Sequence, residues 1–478
     1  MKKSIKKNYL YNLFYQILSL LTPLITTPYI SRVLGADGIG TVSYVGSIVS
    51  YFSLFAVMGI TTYGQREISY VQDDKEKRSE VFWNTKVLEC FTAGVALFIY
   101  ILFSLQQEER SIYLIYSFNI VAVLFDVNWF FQGMEEFGKI VARNTVLKMI
   151  NIAYIFLMVK SKNDLSVYVF GLTFFTVVSN MSLWPYLKKY IVKPKSSTLR
   201  PFNNFRTVVS LFVPTIAIQV YTVLDKTMIG VITKDAFENG FYEQSMKLAR
   251  MVLLVVTSLG TVVIPRIGYY YKNNNSNEIQ HLMYRGYRFV WMLGIPLCIG
   301  LIEVSSNFVP WFYGPGYDSV IELLKISSFL ILAIGINNVT GVQYMIPTNR
   351  QNLFTITVVI GAVVNVALNA ALIPAHGALG ATIASVIAET VIAIVQIIIV
   401  RKELYPFRII TESFHYIVSG VAMCLCLRIL GNRMSPSVLN TIILVIVGTA
   451  VYGIVLIIEK DEFLLSNMRI VTNKIIKK

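Results

Sequence analysis

The stretch GALGATIASVIAETVIAIVQIIIV (377–400) is 24 residues long and contains one charged side chain, Glu389. A helix needs about 20 apolar residues to cross the hydrocarbon core of a bilayer. The stretch is therefore predicted to be a membrane-spanning helix. A carboxylate inside such a helix is unfavourable unless it meets a partner or a wet cavity, so Glu389 is also a candidate functional residue for proton or cation coupling.

The whole chain, like this stretch, is strongly apolar. Of its 478 residues 55% are hydrophobic and 14% are charged, and the mean hydropathy is +0.61. Soluble domains carry about 25% charged residues, so a soluble class is excluded. We predict an all-α polytopic membrane protein with about 14 transmembrane helices. Apolar runs bounded by charged or turn residues give the spans 9–33, 39–62, 80–104, 111–131, 143–160, 165–187, 207–231, 242–265, 286–306, 318–346, 353–373, 377–400, 411–430 and 438–459.

The basic residues predict the orientation of these spans. With a cytoplasmic N-terminus, 29 of the 42 Lys and Arg lie in inside segments and six in outside segments. Cytoplasmic loops carry such an excess, so both termini are expected in the cytoplasm. The formal charge of +15 is then a topology signal spread over short loops, and no nucleic-acid partner is expected.

A basic, turn-rich segment divides the chain. The stretch 188–206 contains six Lys or Arg, two prolines and two adjacent serines, and six spans precede it while six follow. We predict an N-terminal six-helix bundle (1–190), a cytoplasmic linker (191–206), a C-terminal six-helix bundle (207–405), and two further helices with a cytoplasmic tail (406–478). The first and seventh spans each contain proline and lead into a short outer loop that ends in glycine, as expected of parallel repeats. Prolines and glycines are also simply common in membrane helices.

Polar residues recur at helical spacing inside several spans. Glu243, Lys247 and Arg250 fall at i, i+4 and i+7, and Asn144, Lys148 and Asn151 follow the same spacing. Charges at this depth need partners or a wet cavity, so the stripes predict a shared polar interior and a transport function. Arg250 is suited to bidentate phosphate binding and Lys247 to a point-charge contact.

Each charged candidate also has a structural interpretation. Lys86 and Glu89 at i, i+3 can neutralise each other, whereas Lys148 has amide neighbours and is expected to contact an anion or to extend towards the interface. Asp225 and Lys226 are adjacent on a helix and therefore point about 100° apart, so each meets another helix or lines the cavity. An enzyme is not expected, since the sequence has no HExxH, GxSxG or phosphate-loop motif and its predicted outer loops are short.

Three motifs carry a family resemblance: YGQREIS (63–69), FDVNWFFQGMEEFGKIVARNTVLKMI (125–150) and YTVLDKTMIGVIT (221–233). Together with the plan of spans, loops and linker over at least residues 10–400, they resemble the Wzx-type polysaccharide flippases. These belong to the multidrug/oligosaccharidyl-lipid/polysaccharide exporter superfamily. The resemblance implies two six-helix bundles in a V, alternating access and a cationic central cavity. It also implies movement of undecaprenyl-diphosphate-linked oligosaccharide repeat units from the cytoplasmic to the outer leaflet.

The motifs and the stripes together give the candidate site residues. The resemblance singles out Arg66, Asp126, Gln132, Arg143, Asp225 and Lys226. The predicted cationic, substrate-binding set is Arg66, Lys86, Arg143, Lys148, Lys226, Lys247 and Arg250. The predicted polar or gating set is Asp126, Asn128, Gln132, Asn144, Asn151, Asp225, Glu243 and Lys325. Glu389 is the ion-coupling candidate; no metal or other cofactor is expected beyond a proton or sodium gradient.

Three alternative functions stay open at this point. A drug or cation antiporter of the superfamily would favour acidic side chains in its spans, yet the charge excess there is basic. A flippase for the peptidoglycan lipid precursor is closer chemically, and a membrane polysaccharide polymerase is the enzymatic alternative. We expect a monomer in the bacterial plasma membrane, in contact with membrane lipid and associated with polysaccharide polymerase and chain-length machinery.

Overall fold

The structure, a computed structural model, describes residues 5–193, 199–258, 260–404 and 414–466. Within these ranges the regular structure is helical, and ten helical runs are long and apolar enough to cross a membrane. The predicted class, an all-α polytopic membrane protein, is confirmed. The exact number of fourteen spans stays a prediction.

The chain forms two compact units. Unit 1 contains Met1–Gly230 and Asp235–Gly240, and unit 2 contains Val231–Lys234 and Phe241–Lys478. This division by packing falls after the basic linker, whose residues 194–198 lie outside the described residues. The predicted domain boundaries separate two sets of six spans. A division by packing does not test them, so they stay a prediction.

Before residue 234 the described part of the chain forms nine helices, all of which begin in unit 1, with a short 3₁₀ turn at Lys162–Asp164. Helix α4 packs against α1, α3 and α7, and the buried hydroxyl of Tyr100 on α3 donates to the carbonyl oxygen of Tyr113 on α4 at 2.7 Å. The helices are α1 Ile5–Val57, α2 Ile60–Tyr70, α3 Lys75–Ser104, α4 Arg110–Leu124, α5 Asn128–Gly133, α6 Phe137–Met158, α7 Leu165–Met181, α8 Trp184–Leu187 and α9 Phe205–Thr233.

The WFFQG motif forms an aromatic core at one end of unit 1. Trp129, Phe130 and Phe131 on α5 are fully buried, and Phe82 of α3 stacks on Trp129 with ring centroids 5.6 Å apart. Gly133 packs against α2, where an added Cβ would lie 2.7 Å from the carbonyl oxygen of Gln65. The motif therefore anchors the turn that carries the polar residues described below.

The remaining described helices lie in unit 2, except that the first of them begins in unit 1 at Ala236. The last two of them pack against α12 and against each other, and the hydroxyl of Tyr452 donates to the carbonyl oxygen of Met292 at 2.9 Å. The helices are α10 Ala236–Thr257, α11 Gly260–Lys272, α12 Ser276–Tyr313, α13 Asp318–Ser327, α14 Leu330–Asn337, the π-helical segment Asn338–Met345, α15 Gln351–Leu404, α16 Phe414–Gly431 and α17 Val438–Ile458.

Two long helices each contain two of the predicted spans. Helix α1 continues through Gly35, whose φ of 74° is not helical, and α15 continues through Gly377 with a φ of 52°. Glycine adopts positive φ without a Cβ clash. Each helix can therefore change direction at this one residue, at the boundary between two predicted spans. The outer loop predicted between the first two spans is thus reduced to a kink.

The glycines Gly40 and Gly240 make a reciprocal close contact within unit 1. A Cβ on Gly40 would lie 1.6 Å from the carbonyl oxygen of Ala236, and one on Gly240 would lie 2.0 Å from that of Ala36. Both residues were predicted to end loops, yet both lie in helices. They allow the second half of α1 and the start of α10 to touch through their backbones.

Several predicted span limits need correction. The span 242–265 is interrupted, because α10 ends at Thr257 and α11 begins at Gly260; the span 318–346 is divided among α13, α14 and the π-helical segment. Helix α6 begins six residues before the predicted 143, so Arg143 lies inside the helix and not at its end. Part of the span 411–430 lies outside the described residues.

Candidate functional site

Arg143 is the centre of a polar network at one end of unit 1. Its guanidinium donates to the side-chain oxygen of Asn144, to that of Asn128 at 3.0 Å, and to the carbonyl oxygen of Ser179 on α7 at 2.7 Å. Helix α6 supplies Arg143 and Asn144, while Asn128 is the first residue of α5. The planar guanidinium thus joins three elements through hydrogen bonds in fixed directions.

The turn before α5 is fixed by Asp126. One carboxylate oxygen of Asp126 accepts from the backbone N–H of Asn128 at 2.8 Å and from its side-chain amide at 2.6 Å. The amide of Asn128 also donates to the side-chain oxygen of Asn180 at 3.2 Å, and Asn180 donates to the carbonyl oxygen of Ala122. Asp126 therefore positions the residue that receives Arg143.

Lys86 extends this network into the protein interior. Its ammonium group donates to Glu89 and to the carbonyl oxygen of Asp126, both at 2.7 Å, and the side chains of Lys86 and Glu89 are 2% and 1% exposed. The neutralising pair that the spacing allowed is therefore present. In this conformation Lys86 supports the turn at Asp126, and its predicted contact with substrate stays a prediction.

Lys148 and Asn151 lie further along α6. The ammonium group of Lys148 is half-buried and donates to the hydroxyl of Ser19 on α1 at 2.9 Å. The side-chain oxygen of Asn151 is buried and has no hydrogen-bond partner among the described residues. Helix α6 therefore places two cations, Arg143 and Lys148, within a stretch rich in amides and hydroxyls.

The remaining candidates of unit 1 lie apart from this network. Arg66 on α2 pairs with the adjacent Glu67 at 2.8 Å, and its side chain is 39% exposed. Gln132 is half-buried on α5. On α9 Asp225 is buried and Lys226 is half-buried, and the next residue, Thr227, joins Ser47 and Tyr51 of α1 through hydroxyl contacts of 3.0 Å.

In unit 2 the stripe on α10 is graded in exposure. Glu243 and Lys247 are half-buried, whereas Arg250 is exposed. Lys325 on α13 is half-buried. The three residues of the stripe share the helix face that their spacing predicted, and their roles stay predictions.

The side chain of Glu389 on α15 is hydrogen-bonded to Asn337 on α14, another helix of unit 2. The side-chain amide of Asn337 donates to the carboxylate of Glu389 at 2.5 Å and to its backbone carbonyl oxygen at 3.1 Å. Asn337 is the last residue of α14, directly before the π-helical segment. Its own side-chain oxygen is buried without a hydrogen-bond partner among the described residues. The carboxylate therefore lies next to an unused oxygen, a pair of groups suited to a proton or a small cation.

The sequence did not single out several residues that complete these arrangements. The network of unit 1 also includes Ser19, Ser179 and Asn180. The sequence did not indicate them, because single serines and asparagines in apolar spans give no periodic pattern. Asp461 was assigned no role, yet its buried carboxylate meets Arg288 at 2.5 Å and His415 at 2.7 Å. These partners are separated by more than 45 residues, so no local pattern could have found them.

No group of three or more His, Cys, Asp or Glu in the described part of the chain could hold a metal ion. The candidate residues described above include fixed cations, amides and hydroxyls within apolar helices. Such a set binds anionic and polyhydroxylated groups by charge and by hydrogen bonding.

Comparison with known proteins gives the family. A profile of the polysaccharide biosynthesis protein family matches residues 5–270, more than half of the chain. The chain belongs to this family. A curated member, the putative O-antigen transporter of Escherichia coli (strain K12), is 22% identical over 407 residues, which cover 84% of this chain and 98% of that protein. The predicted family, that of the Wzx-type flippases, is thereby confirmed.

Solved structures of other proteins have a similar fold. The lipid II flippase MurJ in an inward closed conformation aligns with a TM-score of 0.72 and 14% identity over 95% of this chain and 99% of that one. A multidrug resistance MATE family transporter in an inward-facing conformation aligns with a TM-score of 0.57 and 13% identity, over 81% and 99% of the two chains. At these identities the likeness establishes the fold alone.

Proposed function

We propose that this protein is a flippase that moves undecaprenyl-diphosphate-linked oligosaccharide repeat units from the cytoplasmic to the outer leaflet by alternating access, for the biosynthesis of capsule, exopolysaccharide or O-antigen. The observation that carries the proposal is the polar stretch of α6, where Arg143 and Lys148 lie among amides and hydroxyls inside an otherwise apolar helix. The names of its relatives, an O-antigen transporter and a lipid II flippase, support the same class of cargo.

The chemistry of the proposed substrate fits these residues. Its diphosphate is an anion that a lysine such as Lys148 binds as a point charge, while Arg143, whose N–H groups donate to protein oxygens in this structure, adds positive charge to the same stretch of helix. Its glycan presents hydroxyls that amides such as Asn144 and Asn151 satisfy, and its prenyl tail stays in the hydrocarbon of the membrane. Neutral or cationic drugs would gain nothing from the basic excess within the spans, so the antiporter alternative is the weaker one.

We propose further that transport is coupled to a proton or sodium gradient through Glu389. The carboxylate is half-buried in a membrane helix and bonded to Asn337, whose side-chain oxygen points to no other hydrogen-bond donor in the described residues. Protonation or a bound cation would change the charge of this pair and so bias one conformation of unit 2.

The proposed setting follows from the same reasoning. The excess of basic residues in alternate loops supports cytoplasmic termini and a location in the bacterial plasma membrane. A monomer is sufficient because the chain carries both six-helix halves. A polymerase and chain-length machinery on the outer face would consume the translocated units.

A flippase for the peptidoglycan lipid precursor is the second candidate, because it is the alternative closest in substrate chemistry and a lipid II flippase shares the fold. The two functions differ in the glycan and in the consequence of loss. Loss of a precursor flippase stops cell-wall growth and lyses the cell, whereas loss of a capsule or O-antigen flippase leaves wall growth intact.

The experiment that tests the proposal measures the leaflet in which the lipid-linked glycan accumulates. Cells that lack this chain but retain the glycan-assembly enzymes are probed with a membrane-impermeant label, and a complemented strain is the control. We expect complete repeat units trapped on the cytoplasmic side, with the label reaching them only after the cells are opened. Units that reach the outer face but stay unpolymerised would contradict the proposal and favour a polymerase; cell lysis would favour the precursor flippase.

A further inference from the structure

Unit 2 contains an apolar groove that the proposed transport function does not use. It has a volume of 340 Å³ and is lined by side chains of α12, α14 and α15 and by Phe329. Its floor forms where α12 and α14 approach closely. A Cβ added to Gly294 would lie 2.8 Å from Leu332, and one added to Gly335 would lie 2.8 Å from Val290. The groove is thus built into the packing of the helices and has the volume of a small-molecule site.

The lining of the groove favours hydrocarbon over water. Phe329 and Ile394 are 49% and 50% exposed, so the groove is open along one side. The hydroxyl of Tyr287 is already bonded to Thr340 at 2.7 Å, and that of Thr390 donates to a carbonyl oxygen of its own helix at 2.7 Å. Water needs two to four polar partners to occupy a cavity, and these hydroxyls are already engaged.

A cation lies on the same helix face at one end of the groove. Ile394, Ile397 and Arg401 follow each other at i, i+3 and i+7 on α15, and the first two line the groove while Arg401 is exposed. Arg401 therefore lies on the groove face about one turn beyond the apolar lining, near the end of α15 at Leu404.

The start of α12 lies beside the end of α15 that carries Arg401. The side chain of Gln280 on α12 donates to the carbonyl oxygen of Glu403 on α15 at 2.7 Å. Further along α12, Tyr287 and Trp291 line the groove. Because α15 is long and apolar enough to cross the membrane and ends at Leu404, just beyond Arg401, this end of the groove lies near the membrane interface.

We propose that the groove binds one acyl chain of an anionic phospholipid and that Arg401 binds the headgroup phosphate of the same molecule. The apolar groove accounts for the chain, and the cation at its interfacial end accounts for the preference for negative headgroups. Basic pockets between membrane helices bind anionic lipids in this way. The site holds a resident lipid and is independent of the identity of the transported molecule.

Native mass spectrometry of the purified full chain tests the proposal with phosphatidylglycerol and phosphatidylcholine as probes. Ile394→Trp fills the groove, and Arg401→Gln removes the cation. Ile398→Trp and Lys402→Gln are the matched controls: Ile398 is 49% exposed and does not line the groove, and Lys402 points about 100° away from Arg401.

We expect bound phosphatidylglycerol to exceed phosphatidylcholine, because one basic residue near the headgroup changes binding by about fivefold. Ile394→Trp should abolish the adduct, Arg401→Gln should remove the preference for phosphatidylglycerol, and both controls should behave as the wild type. Equal adducts in all five proteins would overturn the proposal. Displacement of phosphatidylglycerol by equimolar undecaprenyl phosphate, lost in Ile394→Trp, would overturn it in favour of a site for prenyl chains.

Discussion

Two lysines of unit 1 lie within predicted spans but have different environments in the structure. Lys86 is fully buried and paired with Glu89, whereas Lys148 is half-buried and donates to Ser19. Lys86→Met leaves the Glu89 carboxylate without its partner, and breaking a buried pair in this way costs about 3–5 kcal/mol. We expect a marked loss of folded protein, measured by fluorescence-detected size exclusion in detergent. The double variant Lys86→Met/Glu89→Leu should recover most of it; no recovery would show that the pair is not the cause.

Lys148 is expected to affect transport and not folding. Lys148→Gln keeps a polar group beside Ser19 but removes the charge that a diphosphate would meet, a loss of about 1.5–3 kcal/mol for a charge-assisted hydrogen bond. We therefore expect polysaccharide export to fall by about tenfold or more at an unchanged level of folded protein. Lys148→Arg, which keeps the charge, is the control and should retain more activity than the glutamine variant. Normal export by Lys148→Gln would contradict the cationic role of α6.

At the scale of elements, the contact between α1 and the start of α10 depends on two glycines. Any Cβ at Gly40 or Gly240 would overlap a backbone carbonyl oxygen, which cannot rotate away as a side chain can. We expect Gly40→Val and Gly240→Val to separate the helices and lower thermal stability or transport. The control is Gly453→Val on α17, because a Cβ at Gly453 meets nothing within 4 Å. If both variants behave as the wild type, close contact between the two helices is not required for stability or transport.

The last two helices are held to α12 by a cluster around Asp461. Burial raises the pKa of this carboxyl, but the backbone N–H of Leu464, His415, Arg288 and Tyr416 favour the charged form more strongly, so its pKa lies below the ordinary value of 3.8. A lowered folded-state pKa gives stability that is complete above the ordinary value and is lost as the pH falls through the lowered value.

Asp461→Asn should therefore lower the melting temperature at pH 7, and the difference from wild type should shrink as the pH falls below about 4. The measurement is thermal unfolding in detergent at several pH values, with Glu462→Gln as the control on the neighbouring residue. A difference that stays constant down to pH 3 would show that the charge of Asp461 is not what holds the helices.

At the scale of the whole molecule, the sequence predicts what depends on local pattern. Apolar runs of the length of 377–400 specify membrane helices, and the motif around Trp129 specifies the family, because both are legible in consecutive residues. The kink at Gly35 lies where the sequence predicts a loop, and the kink at Gly377 lies where it predicts the start of a new span. A single residue with positive φ leaves the same short pattern in a sequence as a turn, so a kink could not be told from a break between two helices. The partners of Arg143 and Asp461 come from distant segments, and their pairing depends on how the helices pack.

Energy coupling belongs to the whole transport cycle, and we expect it to depend on the carboxylate of Glu389 in unit 2. Glu389→Gln keeps the hydrogen bond to Asn337 geometrically possible but removes the group that can gain or lose a proton or bind a cation. We expect uptake of the lipid-linked substrate into vesicles to lose its response to an imposed proton or sodium gradient, while substrate binding persists. Asn337→Ala tests the partner, since it frees the carboxylate without neutralising it and should shift the ion dependence without abolishing it. Transport by wild-type protein that ignores both gradients, together with full activity of Glu389→Gln, would exclude this residue from coupling.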